Sequence, residues 1–392
     1  MNVDERREKV KKILITGGAG FIGTEIVKQL HEMGGYEITV LDVMTQQIHG
    51  ADWEKSYLYE SIKGLCKFIK ADVRDYGAIE NAVGDNECII HLAAETGTGQ
   101  SMYMINQYNE VNIMGTSNIL QAVSNLGDKS KARKLILSSS RSVYGEGKYS
   151  CPNCGIVYPS SRKKERMVGG DFDMYCDVCG QRLSKEYTSE DSQVKPASLY
   201  AFTKYAQERM LEVMCPALGI DYTIFRFQNV YGVGQSLKNP YTGILSIFST
   251  LMLENKPVNI FEDGLESRDF INVSDTATAV IRSIDEPRSN AEIINIGSGV
   301  GTSVIEIAQF LTKAYNSESQ INITGDFRIG DIAHNIADIS KAKDILGFEQ
   351  RISLEQGLRE FCEWVKGQSI DNSRYETSLK EMEDSGMFVR KA

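Results

Sequence analysis

The sequence predicts an α/β fold, built on a doubly wound parallel sheet, with a smaller C-terminal lobe and a cysteine-rich insertion. Three observations predict it. Strand-like apolar runs alternate with helical patterns through the first half of the chain, this rhythm stops between about Gly145 and Tyr187, and the pattern becomes irregular after Tyr231. Strands that alternate with helices form a parallel sheet whose two faces are covered by the helices.

Six apolar runs of strand length are expected to form the sheet, and two helical segments lie between them. Apolar residues recur at helical spacing over 24–33 and 112–126. A third, strongly apolar helix is expected over 244–253, in the irregular second half. The predicted strands are 12–16, 38–41, 68–71, 88–92, 134–138 and 222–227.

Length and charge limit the classes of protein to which the chain can belong. Its 392 residues suffice for one large domain or two ordinary ones. The net charge of −10 argues against nucleic acid or an anionic membrane as a partner, because both attract basic surfaces. The N-terminus is charged, and no apolar run approaches the thickness of a bilayer. We therefore expect a cytoplasmic protein.

A glycine-rich turn, GGAGFIG, follows the first strand and opens a helix. Gly17, Gly20 and Gly23 let the backbone turn tightly, approach a pyrophosphate and pack the helix closely on its strand, with the helix N-terminus toward the phosphates. The turn therefore predicts a Rossmann-type domain that binds a dinucleotide. A glycine-rich turn that holds no nucleotide is the alternative.

Two acidic residues follow the next strands. Asp42 ends the second strand, about 20 residues past the glycines, where a carboxylate accepts hydrogen bonds from ribose hydroxyls. A carboxylate there also repels a 2′-phosphate, which favours NAD over NADP. Asp72 and Val73, after the third strand, could contact the adenine, although an Asp that caps a helix explains the position equally well.

A serine, a tyrosine and a lysine predict a site for proton transfer. Ser140 follows a strand, and Tyr200 and Lys204 open a later helix at i and i+4, on one face. A nearby ammonium lowers the pKa of a phenol, so Tyr200 is expected to act as a base while Ser140 hydrogen-bonds the reacting oxygen. The YxxxK spacing is common by itself, and it gains meaning from the glycine turn and the serine strand.

Seven motifs stand in one order along the chain: TGGAGFIG, HLAA, SSxxVYG, YxxTK, RFxNVYG, RDFINV and RIGD. In this the chain resembles the extended short-chain dehydrogenase/reductase family, and in particular its nucleotide-sugar epimerases and dehydratases, over nearly its whole length. Asn272 and Ser274 are departures, because the family more often shows His and Asp there.

The resemblance implies roles for individual residues, a nucleotide-sugar substrate, bound NAD and a homodimer. Ser140, Tyr200 and Lys204 would be catalytic. Residues that would hold the substrate are Ser140, Asn229, Arg268 and Arg328, the alternative for each arginine being an exposed or salt-bridged surface position. Residues that would line the cofactor are Gly17, Gly20, Phe21, Ile22, Gly23, Asp42, Asp72, Val73, Leu92, Ala93, Asn112, Tyr200 and Lys204.

The residues just after the catalytic serine favour one reaction within that family. Dehydratases and decarboxylases carry acidic groups there, whereas this chain has Arg141 and Ser142. The resemblance therefore implies an epimerase that inverts a sugar carbon, C4 being expected, by transient oxidation. GQSMY, FQNVYGVGQSLKNPYTG and the cysteine insert are most similar to the branch that acts on dTDP-L-rhamnose. A dehydratase or reductase, or a non-catalytic NAD-binding scaffold, are the alternatives.

Two CxxC pairs predict a structural Zn²⁺ site in the insertion. Each pair is followed by a glycine, as in a zinc-ribbon turn, and four thiolates suit a closed tetrahedral site. Two disulfides or free thiols are the alternative, which a reducing cytoplasm disfavours. The predicted ligands are Cys151, Cys154, Cys176 and Cys179, whereas Cys66, Cys88, Cys215 and Cys362 are expected to be inert core thiols.

These observations divide the chain into four expected parts. Residues 8–230 form the Rossmann domain, to which 271–298 return, and 146–187 form the zinc-ribbon insert. Residues 231–270 and 299–367 form the substrate lobe. Residues 368–392 are a polar tail that is expected to fray.

Overall fold

A seven-stranded parallel sheet is the centre of the computed structural model, which describes residues 10–237, 243–368 and 373–391. For residues 373–376 the backbone alone is described. Most of the charged N-terminal segment and the KNPYT part of the motif at 238–242 lie outside the described residues, as do positions 369–372 and 392 of the expected tail.

Short strands and helices succeed one another along the described chain. The strands are β1 (Lys11–Thr16), β2 (Tyr36–Asp42), β3 (Lys67–Lys70), β4 (Cys88–His91), β5 (Lys134–Ser140), β6 (Tyr149–Cys151), β7 (Gly155–Val157), β8 (Ser184–Lys185), β9 (Asp221–Phe227), β10 (Asn229–Tyr231), β11 (Val258–Ile260), β12 (Ser267–Asn272), β13 (Glu292–Ile296), β14 (Gly301–Ser303), β15 (Ile321–Ile323), β16 (Phe327–Arg328), β17 (His334–Asn335) and β18 (Phe388–Val389). The helices are α1 (Phe21–Met33), α2 (Gln46–His49), α3 (Tyr57–Glu60), α4 (Tyr76–Val83), α5 (Thr98–Ser101), α6 (Ile105–Tyr108), α7 (Gly115–Leu126), α8 (Lys164–Val168), α9 (Leu199–Leu218), α10 (Ile244–Leu253), α11 (Val273–Ser283), α12 (Val304–Tyr315), α13 (Ser340–Leu346), α14 (Leu354–Lys366) and α15 (Ser373–Asp384).

The central sheet runs in the order β3-β2-β1-β4-β5-β9-β13, and all of its pairs are parallel. The predicted α/β fold with a parallel sheet is therefore confirmed. Strand β1 shows why these residues form it: Ile13 and Ile15 pack into the core on one face, and Leu14 packs into the core on the other. A strand that is apolar on both sides belongs in a sheet covered by helices on both faces.

Helices cover both faces of the sheet. On one face, α1 and α11 bury apolar residues against β1, β2 and β9. On the other face, α4, α7 and α9 bury theirs. The strand after α11, β13, joins the sheet beside β9. None of the helices that the structure describes is long and apolar enough to cross a membrane.

A smaller lobe has a core of its own, to which α10, α12 and α14 contribute. Its helix α10 has the bounds expected from the sequence, because seven of the ten residues of ILSIFSTLML are apolar. Strands β10, β12, β14 and β17 form a sheet beside the carboxyl ends of the central strands. This lobe therefore faces the edge where ligands bind in open α/β sheets.

The insertion forms a three-stranded antiparallel sheet, β7-β6-β8. A small apolar cluster that includes Tyr149, Met174 and Leu183 packs beneath it. The insertion is therefore a compact folded unit placed between β5 and α9, the two elements that carry Ser140 and Tyr200.

The C-terminal segment corrects one expectation. We expected 368–392 to fray, but α15 and β18 pack on the body of the protein, with Met382 and Phe388 buried. Strand β18 pairs antiparallel with β16, and the Phe388 ring lies 5.1 Å from that of Phe261. A few apolar side chains in a polar segment are enough to dock it when a matching surface exists.

Candidate active site

The glycine turn after β1 is closely packed, as a pyrophosphate site requires. Gly17 has φ +70°, and a Cβ there would lie 2.6 Å from the backbone nitrogen of Ala93, at the end of β4. A Cβ on Gly23 would lie 2.6 Å from the carbonyl oxygen of Gly17. No side chain caps the N-terminus of α1, whose N-cap is Gly20. The first N–H groups of α1 are therefore available to an anion.

A cavity of about 590 Å³ opens at this turn, along the carboxyl ends of the central strands. It extends from the glycines to Ser140, so the cofactor and catalytic residues expected from the sequence share one wall. Of the expected cofactor residues, those that line it are Gly17, Gly20, Phe21, Ile22, Gly23, Asp42, Asp72, Val73, Leu92, Ala93, Tyr200 and Lys204.

Asn112 differs from that expectation. Its side chain is fully buried and does not line the cavity. The Oδ1 atom accepts a hydrogen bond from the Glu95 N–H at 2.8 Å, and Nδ2 donates to the Glu95 carbonyl at 3.1 Å and to Thr203 Oγ1 at 2.9 Å. Asn112 therefore ties the loop after β4 to α9, next to Tyr200.

The two acidic residues near the adenosine end have different surroundings. The Asp42 carboxylate accepts hydrogen bonds from the N–H groups of Ala19 and Met44, and burial raises its pKa despite those donors. Asp72 pairs with Arg74, whose hydrogen bonds and charge outweigh partial burial and lower the pKa of Asp72. The cap of α4 is Asp75 rather than Asp72. The capping explanation for Asp72 is therefore wrong.

The proton-transfer residues meet at the junction of β5 and α9. Ser198 caps α9, and the backbone N–H of Tyr200 donates to Ser101 Oγ at 3.0 Å. One turn later, the Lys204 ammonium donates to the carbonyl oxygen of Ser138 at 2.8 Å. Ser140, Tyr200 and Lys204 all line the large cavity.

The charges at this junction differ from the sequence expectation. Burial raises the pKa of Tyr200, and the hydrogen bond from Ser140 and the positive charge of Arg141 only partly offset it. Burial also lowers the pKa of Lys204 to about 7. The expected lowering of the phenol's pKa by the lysine is therefore wrong for this structure, because desolvation of the buried phenol dominates.

A second cavity of about 210 Å³ adjoins the first, and Asn229, Arg268 and Arg328 line it. The Arg268 guanidinium donates to the carbonyl oxygens of Ser267, Ile332 and Ala333 at 2.8–3.0 Å. The Arg328 guanidinium lies 5.1 Å over the Phe261 ring, and its buried Nε has no partner among the described residues. Both arginines are partly buried, so they are not the exposed surface residues of the alternative.

Arg141 and Glu266 are among the charged residues of these cavities that sequence reasoning missed. Arg141 is partly buried where the cavities meet and donates to Asn229 Oδ1 at 3.1 Å, and desolvation lowers its pKa to about 9. Glu266 lines the second cavity with its buried Oε2 unpartnered, and burial raises its pKa to about 8. The position of Arg141, directly after Ser140, could have pointed to it. From the sequence alone, that position indicated only that no acidic group follows the serine. No sequence signal points to Glu266, because its burial arises only when the chain folds.

The four cysteines of the insertion come together. Their Sγ atoms all lie within 4.8 Å of one another, and those of Cys151 and Cys179 are 3.4 Å apart. A tetrahedral ion with Zn–S bonds of about 2.3 Å needs sulfurs about 3.8 Å apart. Gly155 and Gly180 follow the second cysteine of each pair with φ of +72° and +74°, which completes each turn. The geometry therefore fits a four-thiolate metal site.

The other cysteines lie away from this cluster. Cys88, Cys215 and Cys362 are buried and Cys66 is partly buried. Burial raises the pKa of Cys66 to about 11 and those of Cys88 and Cys215 to about 12. Thiols of this kind are poor nucleophiles near neutral pH.

Comparison with known families finds one that spans most of the chain. The NAD dependent epimerase/dehydratase family matches residues 13–161 and 173–297. The chain is 36% identical over 364 residues to a dTDP-L-rhamnose 4-epimerase of Burkholderia thailandensis, covering 92% of this chain and 96% of that protein. It is 31% identical over 356 residues to a putative UDP-glucose 4-epimerase of Methanocaldococcus jannaschii, covering 90% and 98%.

Solved structures have the same fold. The UDP-glucuronic acid 4-epimerase of Bacillus cereus, in complex with UDP-glucuronic acid and NAD, is 26% identical with a TM-score of 0.73, covering 91% of this chain and 99% of that one. The UDP-glucose 4-epimerase of Thermotoga maritima, with UDP-glucose, is 28% identical with a TM-score of 0.72, covering 91% and 98%. Both likenesses extend over most of the chain, and so over the elements that form the two cavities.

Proposed function

The chain belongs to the NAD dependent epimerase/dehydratase family, and we propose that it inverts C4 of a nucleotide-activated sugar. The observation that carries this proposal is that Ser140, Tyr200 and Lys204 line the cavity shaped for a dinucleotide, and that this cavity meets a second one, which arginines line, at Arg141, the residue after Ser140. The four relatives compared with the chain bear the names of 4-epimerases.

NAD is the proposed cofactor. The tight Gly17 turn, the open N-terminus of α1 and the carboxylate of Asp42 fit its pyrophosphate and its ribose. A buried carboxylate at this place disfavours the 2′-phosphate of NADP. When bound, NAD supplies the reversible two-electron oxidation of the sugar carbon.

The chain's own residues handle the proton. Tyr200 takes the proton from the sugar hydroxyl and returns it after the keto-sugar has presented its other face. Ser140, which hydrogen-bonds Tyr200, holds the reacting oxygen and favours the ionised phenol. Lys204 fixes α9 on β5 through the Ser138 carbonyl, and so sets where Tyr200 stands.

The second cavity is proposed to hold the nucleotide part of the substrate. Arg141, Arg268 and Arg328 line it together with the acidic residues Glu262, Glu266 and Asp331, and a diphosphate is the natural partner of the three arginines. No described acidic side chain forms an ion pair with any of the three. Among nucleotide sugars, dTDP-L-rhamnose is the first candidate, because the Burkholderia relative that acts on it is 36% identical.

The proposal is tested by incubating the purified protein with separate nucleotide sugars, with no cofactor added, and following the sugar protons by NMR. We expect interconversion of C4 epimers by NAD that copurifies with the protein. Loss of water from the sugar would favour a dehydratase, and turnover that requires added NADPH would favour a reductase. Bound NAD without any turnover would favour a non-catalytic scaffold.

Structural Zn²⁺ is the proposed occupant of the cysteine cluster. Support comes from the mutual approach of the four Sγ atoms and from the glycine turn after each CxxC. A reducing cytoplasm, the location expected from the sequence, keeps such sulfurs from forming disulfides, so that they stay available to a metal. The site has four protein ligands and no open position, so the metal would stabilise the insert and take no part in catalysis.

A homodimer is the proposed assembly. Phe202 and Val213 on α9 are 53% and 63% exposed, and Met114, just before α7, is 53% exposed. Large apolar side chains that share a helical face favour a protein interface. Light scattering is expected to give about twice the mass of 43.7 kDa, and Phe202→Asp is expected to shift it toward the monomer, because it places a charge in the apolar face.

A further inference from the structure

One arginine of the insertion reaches out of it to two residues that line the second cavity. Arg162 lies in the segment after β7, and its side chain is 3% exposed. Its guanidinium makes two hydrogen bonds to the Glu262 carboxylate, one of them at 2.9 Å, and donates to the Asp331 carbonyl at 3.0 Å. The same guanidinium donates to the Phe172 carbonyl of the insertion at 3.4 Å. Arg162 therefore joins the insertion to two segments of the substrate lobe.

Both of those segments belong to the second cavity. Glu262 and Asp331 line it, together with Arg268 and Arg328. The carbonyl oxygens that follow Asp331 along the chain, those of residues 332 and 333, are the ones that hold the Arg268 guanidinium. The Asp331 carbonyl to which Arg162 donates therefore directly precedes the carbonyls that orient the Arg268 guanidinium.

A second contact from the insertion reaches the same segment. Glu146 precedes β6, and its carboxylate accepts a hydrogen bond from the Ala333 N–H at 2.8 Å. Its other oxygen lies 3.9 Å from the Arg162 Nε. The segment 328–333 is thus held at a carbonyl by Arg162 and at an N–H by Glu146.

The charge balance makes Arg162 hard to replace. Glu262 and Glu146 are 4% and 2% exposed at their side chains, and Arg162 is the described cation that pairs with both. Removing one partner of a buried pair leaves an uncompensated charge, which is strongly destabilising locally. Without Arg162, the Glu262 carboxylate is expected to turn toward water and to draw the cavity wall with it.

The other arginines of the insertion behave differently. Arg166 pairs with Asp171 and Arg182 with Asp173, and both pairs lie within the insertion at its surface. Exposed pairs of this kind contribute little to stability. Arg182 therefore provides a matched control, because it has the same side chain in the same unit and does not reach the substrate cavity.

We propose that Arg162 is a positioning residue for the nucleotide sugar, through which the cysteine insertion fixes the wall of the substrate cavity. The proposal rests on the proposed function for the identity of the ligand. The insertion then takes part in substrate binding, because Arg162 fixes the position of the segment 328–333 and of the Glu262 carboxylate. Both belong to the cavity proposed to hold the ligand. NAD binding lies in the other cavity and is expected to be independent of it.

The test compares Arg162→Met, Arg162→Lys and the control Arg182→Ala with the wild type. We expect Arg162→Met to raise KM for the nucleotide sugar about tenfold or more, with a much smaller change in kcat, because a buried charge loses its partner. The KM of Arg162→Lys is expected to lie between those of the wild type and Arg162→Met. Lysine keeps the positive charge but lacks the second guanidinium nitrogen that reaches the Asp331 carbonyl. Metal content and NAD binding are expected to stay at the wild-type level, as is every constant of Arg182→Ala.

A second measurement does not depend on turnover. Hydrogen exchange of the amides in 326–333 is expected to speed up in Arg162→Met and to remain unchanged in Arg182→Ala. Unchanged KM and unchanged exchange in Arg162→Met overturn the proposal, as does an equal effect in Arg182→Ala. If Arg162→Met does not fold, wild-type KM and exchange in Arg162→Lys overturn it. If the wild type acts on no nucleotide sugar, the proposed function fails and the exchange measurement still decides the role of Arg162.

Discussion

The ammonium of Lys204 donates a hydrogen bond to the carbonyl oxygen of Ser138 at 2.8 Å, and it thereby ties the first turns of α9 to the end of β5. Ser140 lies two residues further along that strand, and Tyr200 lies one turn earlier on the helix. The same bond therefore sets the distance between the proposed base and the serine that hydrogen-bonds it. Lys204 is buried, and this burial lowers its pKa to about 7.

Tyr200→Phe removes the proposed base and keeps the ring. We expect kcat to fall by roughly 10²–10⁴-fold, the usual contribution of a positioned acid or base. NAD binding is expected to persist, because the glycine turn and Asp42 are untouched. Turnover and bound NAD are measured on the same preparation, with Tyr205→Phe as the control, since Tyr205 is on the same helix and outside both cavities. Wild-type turnover in Tyr200→Phe rules out the proposed base.

Ser140→Ala is expected to move the pH profile of kcat/KM to higher pH. The Ser140 hydrogen bond stabilises the ionised phenol and lowers the pKa of Tyr200, against the raising effect of burial. Removing that bond raises the pKa, and a base that must be ionised then needs a higher pH to act. The rising limb of the profile, measured with one nucleotide sugar, reports the shift. A lower rate with an unshifted limb would mean that Ser140 acts on the substrate oxygen alone.

The central sheet could be predicted because its strands are short apolar runs buried on both faces. For β1 and β4 the predicted bounds agree with the structure to within one residue, since Gly17 ends the first run and Glu87 precedes the second. The glycine turn was equally clear, because a Cβ at Gly17 or Gly23 would meet backbone atoms. Such constraints act between residues that are close in the sequence, so the sequence alone predicts them.

Contacts between distant segments could not be predicted in this way. Arg162 and Glu262 are 100 residues apart, and neither has neighbours that distinguish it from a surface residue. The direction of the Tyr200 pKa depends on how completely α9 is covered, which the YxxxK spacing does not record. The docking of β18 depends on Phe261 and β16, so the mostly polar sequence around it indicates only a tail.

Cys154→Ser is expected to lower the zinc content from about one ion per chain, the value for a closed four-thiolate site. Cys154 is an exposed member of the cluster, so its replacement removes a ligand without disturbing the apolar core. Elemental analysis of purified protein measures the change, and Cys66→Ser, a cysteine outside the cluster, is expected to keep the wild-type content. Equal metal content in the two variants, or none in the wild type, contradicts the zinc site.

Phe388→Ala is expected to weaken nucleotide-sugar binding without affecting NAD. Phe388 is the strand partner of Arg328 in the β16–β18 pair, and its buried ring packs against Phe261, over which the Arg328 guanidinium lies. Truncating a buried Phe costs about 3–5 kcal/mol where the site cannot collapse, which is enough to release β18 from its neighbour.

A released β18 leaves Arg328 on an unpaired strand, so the cation is no longer held over the second cavity. The readout is KM for the nucleotide sugar beside the affinity for NAD, together with protease cleavage in the C-terminal segment. Lys380→Ala is the control, because Lys380 is an exposed residue of α15 in the same segment. Cleavage of the segment with wild-type KM would show that β18 docks on the protein without positioning Arg328.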